Sequence, residues 1–98
     1  MTSSEILKRL SEQADAIRGM GATSLYLFGS ASRGEATNQS DIDLFIDYDE
    51  ARRFSLIDLV GMKQHLEETM AADVDITTRD SLHPMLKEEI ERSAIRVF

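Results

Sequence analysis

The chain has 98 residues, 42% of them hydrophobic and 30% charged, which suits one soluble globular domain over residues 1–98 but leaves no length for a separate acceptor-binding lobe. Eleven Lys and Arg against eighteen Asp and Glu give a net charge of −7, so direct binding to a DNA or RNA backbone is disfavoured. With no cysteine, disulfides and thiolate metal sites are excluded; an N-terminus without an unbroken apolar segment, and no run long enough to span a bilayer, fit a cytoplasmic protein.

In chain order, Ile6, Leu7, Leu10, Ala14 and Ile17 recur at helical spacing, and Thr2 with Glu5 forms a possible capping box, so residues 3–18 are expected to be one amphipathic helix ended by Gly19 and Gly21. Leu25 to Phe28 is an apolar run stopped by Gly29, the pattern of a strand buried on both faces. The polar stretch Ser30 to Ser40 is expected to be one short helical turn and a loop. From Asp41 to Tyr48 the chain alternates: Ile42, Leu44, Ile46 and Tyr48 share one strand face, and Asp41, Asp43, Phe45 and Asp47 share the other.

A second helix follows, with Leu56, Leu59, Val60, Met62, Leu66 and Met70 expected on its apolar side and Lys63, Gln64, Glu67 and Glu68 mostly opposite. Asp73 to Thr77 forms a third strand, Pro84 opens a last helix whose stripe is Leu86, Ile90 and Ala94, and Ile95 to Phe98 adds a terminal strand. The expected fold is α/β, a small mixed sheet flanked by helices.

Asp41 and Asp43 lie two positions apart on the second strand, so they project from one face with Cα atoms roughly 6.5 Å apart. Carboxylates so placed can share the ions of a two-metal phosphoryl-transfer site. An isolated Asp-x-Asp is usually a solvated surface pair. Here it opens an otherwise apolar strand, where desolvation has to be offset, and an apolar strand ending in Gly29-Ser30 precedes it. A turn at that point can place N–H groups and a hydroxyl beside a phosphate.

Gly29-Ser30, ten intervening residues and Asp41-Ile42-Asp43 resemble the GS-x10-DxD signature of the DNA polymerase beta-type nucleotidyltransferase superfamily. The segment LFGSASRGEATNQSDIDLFID and the later ADVDITTRDSL resemble its minimal nucleotidyltransferase branch, so the likeness covers nearly the whole chain. The resemblance implies a third carboxylate at Asp75, completing a catalytic and metal-binding set with Asp41 and Asp43. Asp73 is the rival, because alternation puts it on the same face.

The resemblance further implies that Gly29, Ser30 and Arg33 bind the nucleotide. Their alternatives are a turn glycine, a helix cap and a loop cation. It implies two Mg2+ ions, ATP as substrate, and a HEPN-type helical ribonuclease toxin as partner in a hetero-oligomer, adenylylated on a tyrosine by this chain as its antitoxin. Two other functions remain open: a nucleotidyltransferase-like binding module acting by occupancy, and a free-standing transferase for a small hydroxylated molecule. Asp47 and Asp49 are expected to be solvated at a strand end, His65 and His83 structural, Tyr26 and Tyr48 packing residues, and Lys63 either near a nucleotide or on a solvated helix face.

Overall fold

The chain is seen in a computed structural model, which describes residues 2–29, 32 and 41–98. Helix α1 (Ser3–Glu12) starts where the Thr2 hydroxyl accepts the Glu5 N–H at 3.2 Å. The single helix expected over residues 3–18 is instead two. The chain leaves α1 at Gln13, at φ −95° and ψ 4°, and re-enters α2 (Ala14–Gly19). Gln13 uses its freedom there: its side chain meets His65 Nε2 at 2.8 Å.

Strands β1 (Ala22–Phe28), β2 (Ile42–Tyr48), β3 (Val74–Thr78) and β4 (Ile95–Arg96) form a sheet in the order β3-β2-β1-β4. β1 pairs antiparallel with β2 and β4, whereas β2 and β3 run parallel. That parallel pair requires a crossover, supplied by helix α3 (Leu56–Met70). Ser55 caps α3 reciprocally with Asp58: the Asp58 N–H donates to Ser55 Oγ, and the Ser55 N–H donates to Asp58 Oδ2 at 2.9 Å.

The alternation expected for β2 explains where the core sits. Leu25, Leu27, Ile42, Leu44, Ile46, Val74 and Ile76 bury one sheet face against Ile6, Leu10 and Ile17 of α1 and α2 and against Met62, Leu66 and Met70 of α3. Two members of the expected α3 stripe are not in it. Leu56 is 75% exposed and Val60 45% exposed, because only positions at the angular sector of Met62 and Leu66 reach the sheet. Leu56 and Val60 project away from it.

The opposite face carries Tyr26, Phe28, Asp43, Phe45, Asp75 and Thr77. The expectation that β1 is buried on both sides holds for Leu25 and Leu27 but not for Tyr26 and Phe28, which are half-buried. Phe45 is fully buried, stacked on Tyr26 with ring centroids 4.7 Å apart and tilted on Phe28 at 5.8 Å.

Helix α4 (Pro84–Ser93) crosses this aromatic side on its way from β3 to β4, tied down by an ion pair from Glu91. Its expected apolar stripe is shallower than anticipated: Ile90 and Ala94 are half-buried, while Leu86 remains 51% exposed. Among the described residues no helix is long and apolar enough to cross a membrane.

Candidate active site

β2 and β3 lie in parallel register with Asp43 directly across from Asp75, and Phe28 of β1 completes the row on the other side of Asp43. The alternation that sends Leu44 into the core turns both carboxylates to the opposite face. Asp41 stands just before β2 and is exposed. Asp73 shares that parity but lies before β3, and its carbonyl accepts the Ile42 N–H at 2.9 Å. Register therefore sets Asp75, and not Asp73, beside Asp43.

Gly29 closes β1 with φ +75°, backbone space that glycine enters without strain. The position also needs the missing side chain. A Cβ at Gly29 would collide with the Asp43 carboxylate oxygen and lie 3.3 Å from Asp43 Cγ and 3.4 Å from its Cβ. Beyond it, the Ser32 hydroxyl and N–H both donate to the Gly29 carbonyl, at 2.8 and 3.2 Å. The chain thus turns with its backbone pressed against a carboxylate. Ser32 was not singled out in the sequence, since a serine in a Ser-rich loop carries no distinguishing signal.

Ser30 and Arg33, expected at the nucleotide, lie outside the described residues.

The electrostatics of the row follow from its crowding. Burial, then the negative charges of Asp75 and Asp41, push the Asp43 carboxyl above the usual carboxylate range. Among the described residues, no three His, Cys, Asp or Glu side chains are gathered closely enough to hold one metal ion. The donor chemistry nevertheless fits a hard divalent cation: three carboxylates, no sulfur or imidazole, and mutual repulsion that positive charge would relieve.

One constellation was missed by sequence reasoning. Arg79, in the 3-10 turn Arg79–Ser81 after β3, donates to both carboxylate oxygens of Asp47, at 2.7 and 3.0 Å, and to Glu91 at 2.6 Å. Its guanidinium lies 4.9 Å over the Tyr26 ring and 5.1 Å over Phe45. These hydrogen bonds hold its pKa above the ordinary arginine value despite partial burial. Asp47 is accordingly a bidentate partner and not the solvated residue expected. Its partners are 32 and 12 positions apart in sequence, so no local pattern announces them.

A hollow at the far end of the strands is lined by Ile46, Asp47, Tyr48, Glu50, Arg79, Asp80 and Lys87, but its arginine is already engaged. The remaining readings hold up. Asp49 accepts the Ala51 N–H at 2.9 Å, and His83 Nδ1 caps α4 at Met85 N. Tyr48 stacks on Phe54 with centroids 4.9 Å apart. Lys63 is exposed on α3, across the sheet from the aspartate row, which leaves it on a solvated face.

A family profile described as the nucleotidyltransferase domain matches residues 3–97. A protein of Methanocaldococcus jannaschii, named as a candidate protein adenylyltransferase, is 42% identical over 72 residues, covering 74% of this chain and 75% of that protein. The solved structure of a candidate minimal nucleotidyltransferase superposes with a TM-score of 0.83 at 34% identity, covering 97% of this chain and 95% of that one. A chain from a mutant toxin-antitoxin complex, MntA-HpeT, superposes at 0.68 with 26% identity over all of this chain and 72% of its own. The profile spans the four strands and four helices that carry the aspartate row, and this chain belongs to the nucleotidyltransferase domain family, as an enzyme with the minimal nucleotidyltransferase fold.

Proposed function

We propose that this chain transfers AMP from ATP to a hydroxyl, a tyrosine, of a HEPN-type helical ribonuclease toxin, and so serves as its antitoxin in the cytoplasm. The observation that carries the reading is the packing of Gly29 against Asp43, with Asp75 in register and Asp41 adjacent. A backbone turn that admits no side chain sits beside a carboxylate row whose charges, among the described residues, repel one another. A triphosphate with its cations complements both. Support for adenylyl transfer comes from the M. jannaschii relative named for that activity, and support for the partner from the MntA-HpeT complex.

Asp41, Asp43 and Asp75 would hold two Mg2+ ions, which supply positive charge against the triphosphate. Gly29 lets the backbone approach the β- and γ-phosphates closely, and Ser30 and Arg33 add a hydroxyl and a guanidinium there. One of the carboxylates accepts the proton of the attacking hydroxyl. The acceptor oxygen forms a bond to the α-phosphorus as the bond from that phosphorus to the bridging oxygen breaks, and pyrophosphate leaves. The acidic surface, with a net charge of −7, leaves nucleic acid as an unsuitable acceptor.

The experiment replaces Asp41 and Asp43 with Asn in the complex with the toxin. Wild type is expected to add the mass of one or more AMP units to the partner and to protect cells, and the double variant to do neither while remaining folded. Undiminished protection by a variant that transfers nothing would refute the enzymatic reading in favour of neutralisation by occupancy. A parallel Asp75→Asn variant is expected to lose transfer as severely as either single aspartate variant. Near-normal transfer would remove Asp75 from the set.

A further inference from the structure

Ser32 turns both of its donors on one atom. Its N–H and its hydroxyl donate to the Gly29 carbonyl oxygen, at 3.2 and 2.8 Å. A carbonyl oxygen has two lone pairs, so this one is filled from inside the turn. The N–H bond alone would close an ordinary four-residue turn, and the hydroxyl adds a side-chain lock on the same group.

The lock matters because of where Gly29 sits. Its φ is +75°, and a Cβ there would collide with the Asp43 carboxylate. The freedom that lets glycine make this turn also lets the peptide plane after it rotate. Rotated outward, the carbonyl would set a partial negative charge beside Asp43, already crowded by Asp75 and Asp41, and toward an incoming triphosphate. Held inward, it does the opposite. In a trans peptide the C=O and N–H point in opposite directions, so a carbonyl pinned into the turn aims the N–H of the same peptide plane out of it, as a donor for an anion.

We propose that Ser32 is a positioning residue for nucleotidyl transfer: its hydroxyl locks the Gly29 carbonyl inward and so presets the turn as a donor surface for the β- and γ-phosphates. It touches neither substrate nor metal and acts through Gly29. The lock is made within the chain, so binding does not have to order it. The role rests on the reading above that this turn faces the triphosphate, and not on which partner supplies the acceptor.

The test is calorimetry of the full chain with saturating Mg2+, titrating ATP and inorganic pyrophosphate into wild type, Ser32→Ala and Ser32→Thr. Ser32 lies outside every helix and strand, so both variants should keep wild-type circular dichroism. Loss of one such hydrogen bond corresponds to about a three- to tenfold change in an equilibrium constant. Ser32→Ala should therefore raise both dissociation constants by that factor, because the two ligands share the phosphates that meet the turn. Ser32→Thr keeps the hydroxyl and should restore wild-type affinity.

Wild-type affinity in Ser32→Ala, a loss for ATP but not for pyrophosphate, or a threonine variant as weak as the alanine one each overturns the proposal. Amide hydrogen exchange without nucleotide separates a role through the backbone from direct contact: the residue-32 N–H should exchange faster in Ser32→Ala as the turn opens. Weakened binding with unchanged exchange would mean that the hydroxyl meets phosphate itself, and the positioning role would be wrong. A wild-type chain that binds neither ligand overturns the nucleotide reading together with this one, whereas tight wild-type binding that Ser32→Ala leaves intact removes only the role of Ser32.

Discussion

Replacing Gly29 with alanine tests whether the turn and the aspartate are mechanically one unit. At φ +75° a residue with a Cβ is strained by about 1–2 kcal/mol. The new methyl would also enter the space of the Asp43 carboxylate and approach Asp43 Cγ and Cβ at 3.3 and 3.4 Å, and pushing that side chain off its rotamer adds about 0.5–1.5 kcal/mol. The sum, about 1.5–3.5 kcal/mol, corresponds to a fall in melting temperature of roughly 6–28 °C for a domain of this size. The variant should fold at room temperature and lose transfer, because Asp43 has been displaced.

Thermal and urea unfolding followed by circular dichroism measure the cost. Repeating the substitution in an Asp43→Ala background isolates the contact. With Cγ and the carboxylate gone, the penalty should shrink to its backbone share, a coupling of about 1 kcal/mol. An equal penalty in both backgrounds would show that Gly29 does not press on Asp43, and the argument for a shared cradle would collapse.

Asp43→Asn should stabilise the metal-free protein at neutral pH by a few tenths to about 1 kcal/mol after allowance for solvent screening. A carboxyl whose folded-state pKa is raised opposes folding when ionised, so the gain should vanish as pH falls through that pKa; a destabilised variant would contradict the crowding described. ATP binding followed by calorimetry should require Mg2+ or Mn2+ and disappear with EDTA, because the aspartate row repels a bare triphosphate; tight binding indifferent to chelation rules the metal set out. Arg79→Met should lower stability by about 1–3 kcal/mol, by stranding Asp47 and Glu91 beside a half-buried aromatic layer. Arg79→Lys should fail to restore it, since an ammonium cannot reproduce the fork; an unchanged urea midpoint in the methionine variant would show that the clamp carries no stability.

What the sequence made legible was whatever is written in local period. The alternation of Ile42, Leu44 and Ile46 against Asp43 and Phe45 declared both the strand and its two faces, and Pro84 marked the start of α4. The aspartate row was half legible: parity alone left Asp73 and Asp75 equal and the family resemblance favoured Asp75, while the register of β2 on β3, a non-local fact, sets Asp75 beside Asp43. The outward turn of Leu56 and Val60 was invisible for a related reason. Apolar residues cover more than half of α3's circumference, so their spacing does not say which arc meets the sheet. The Arg79 clamp joins β2, the turn after β3 and α4, and no window of sequence contains all three.

The parallel pairing of β2 with β3 also governs when the site comes into being. Asp43 and Asp75 are neighbours only across a crossover that includes all of α3, and a connection of that length has to close, against its chain entropy, before the pairing is gained. Helices such as α3 can form on a microsecond timescale from local contacts, whereas parallel pairing is a slow, non-local event. In refolding, helical signal should therefore return ahead of nucleotide chemistry, and a partly folded chain is catalytically silent rather than partly active.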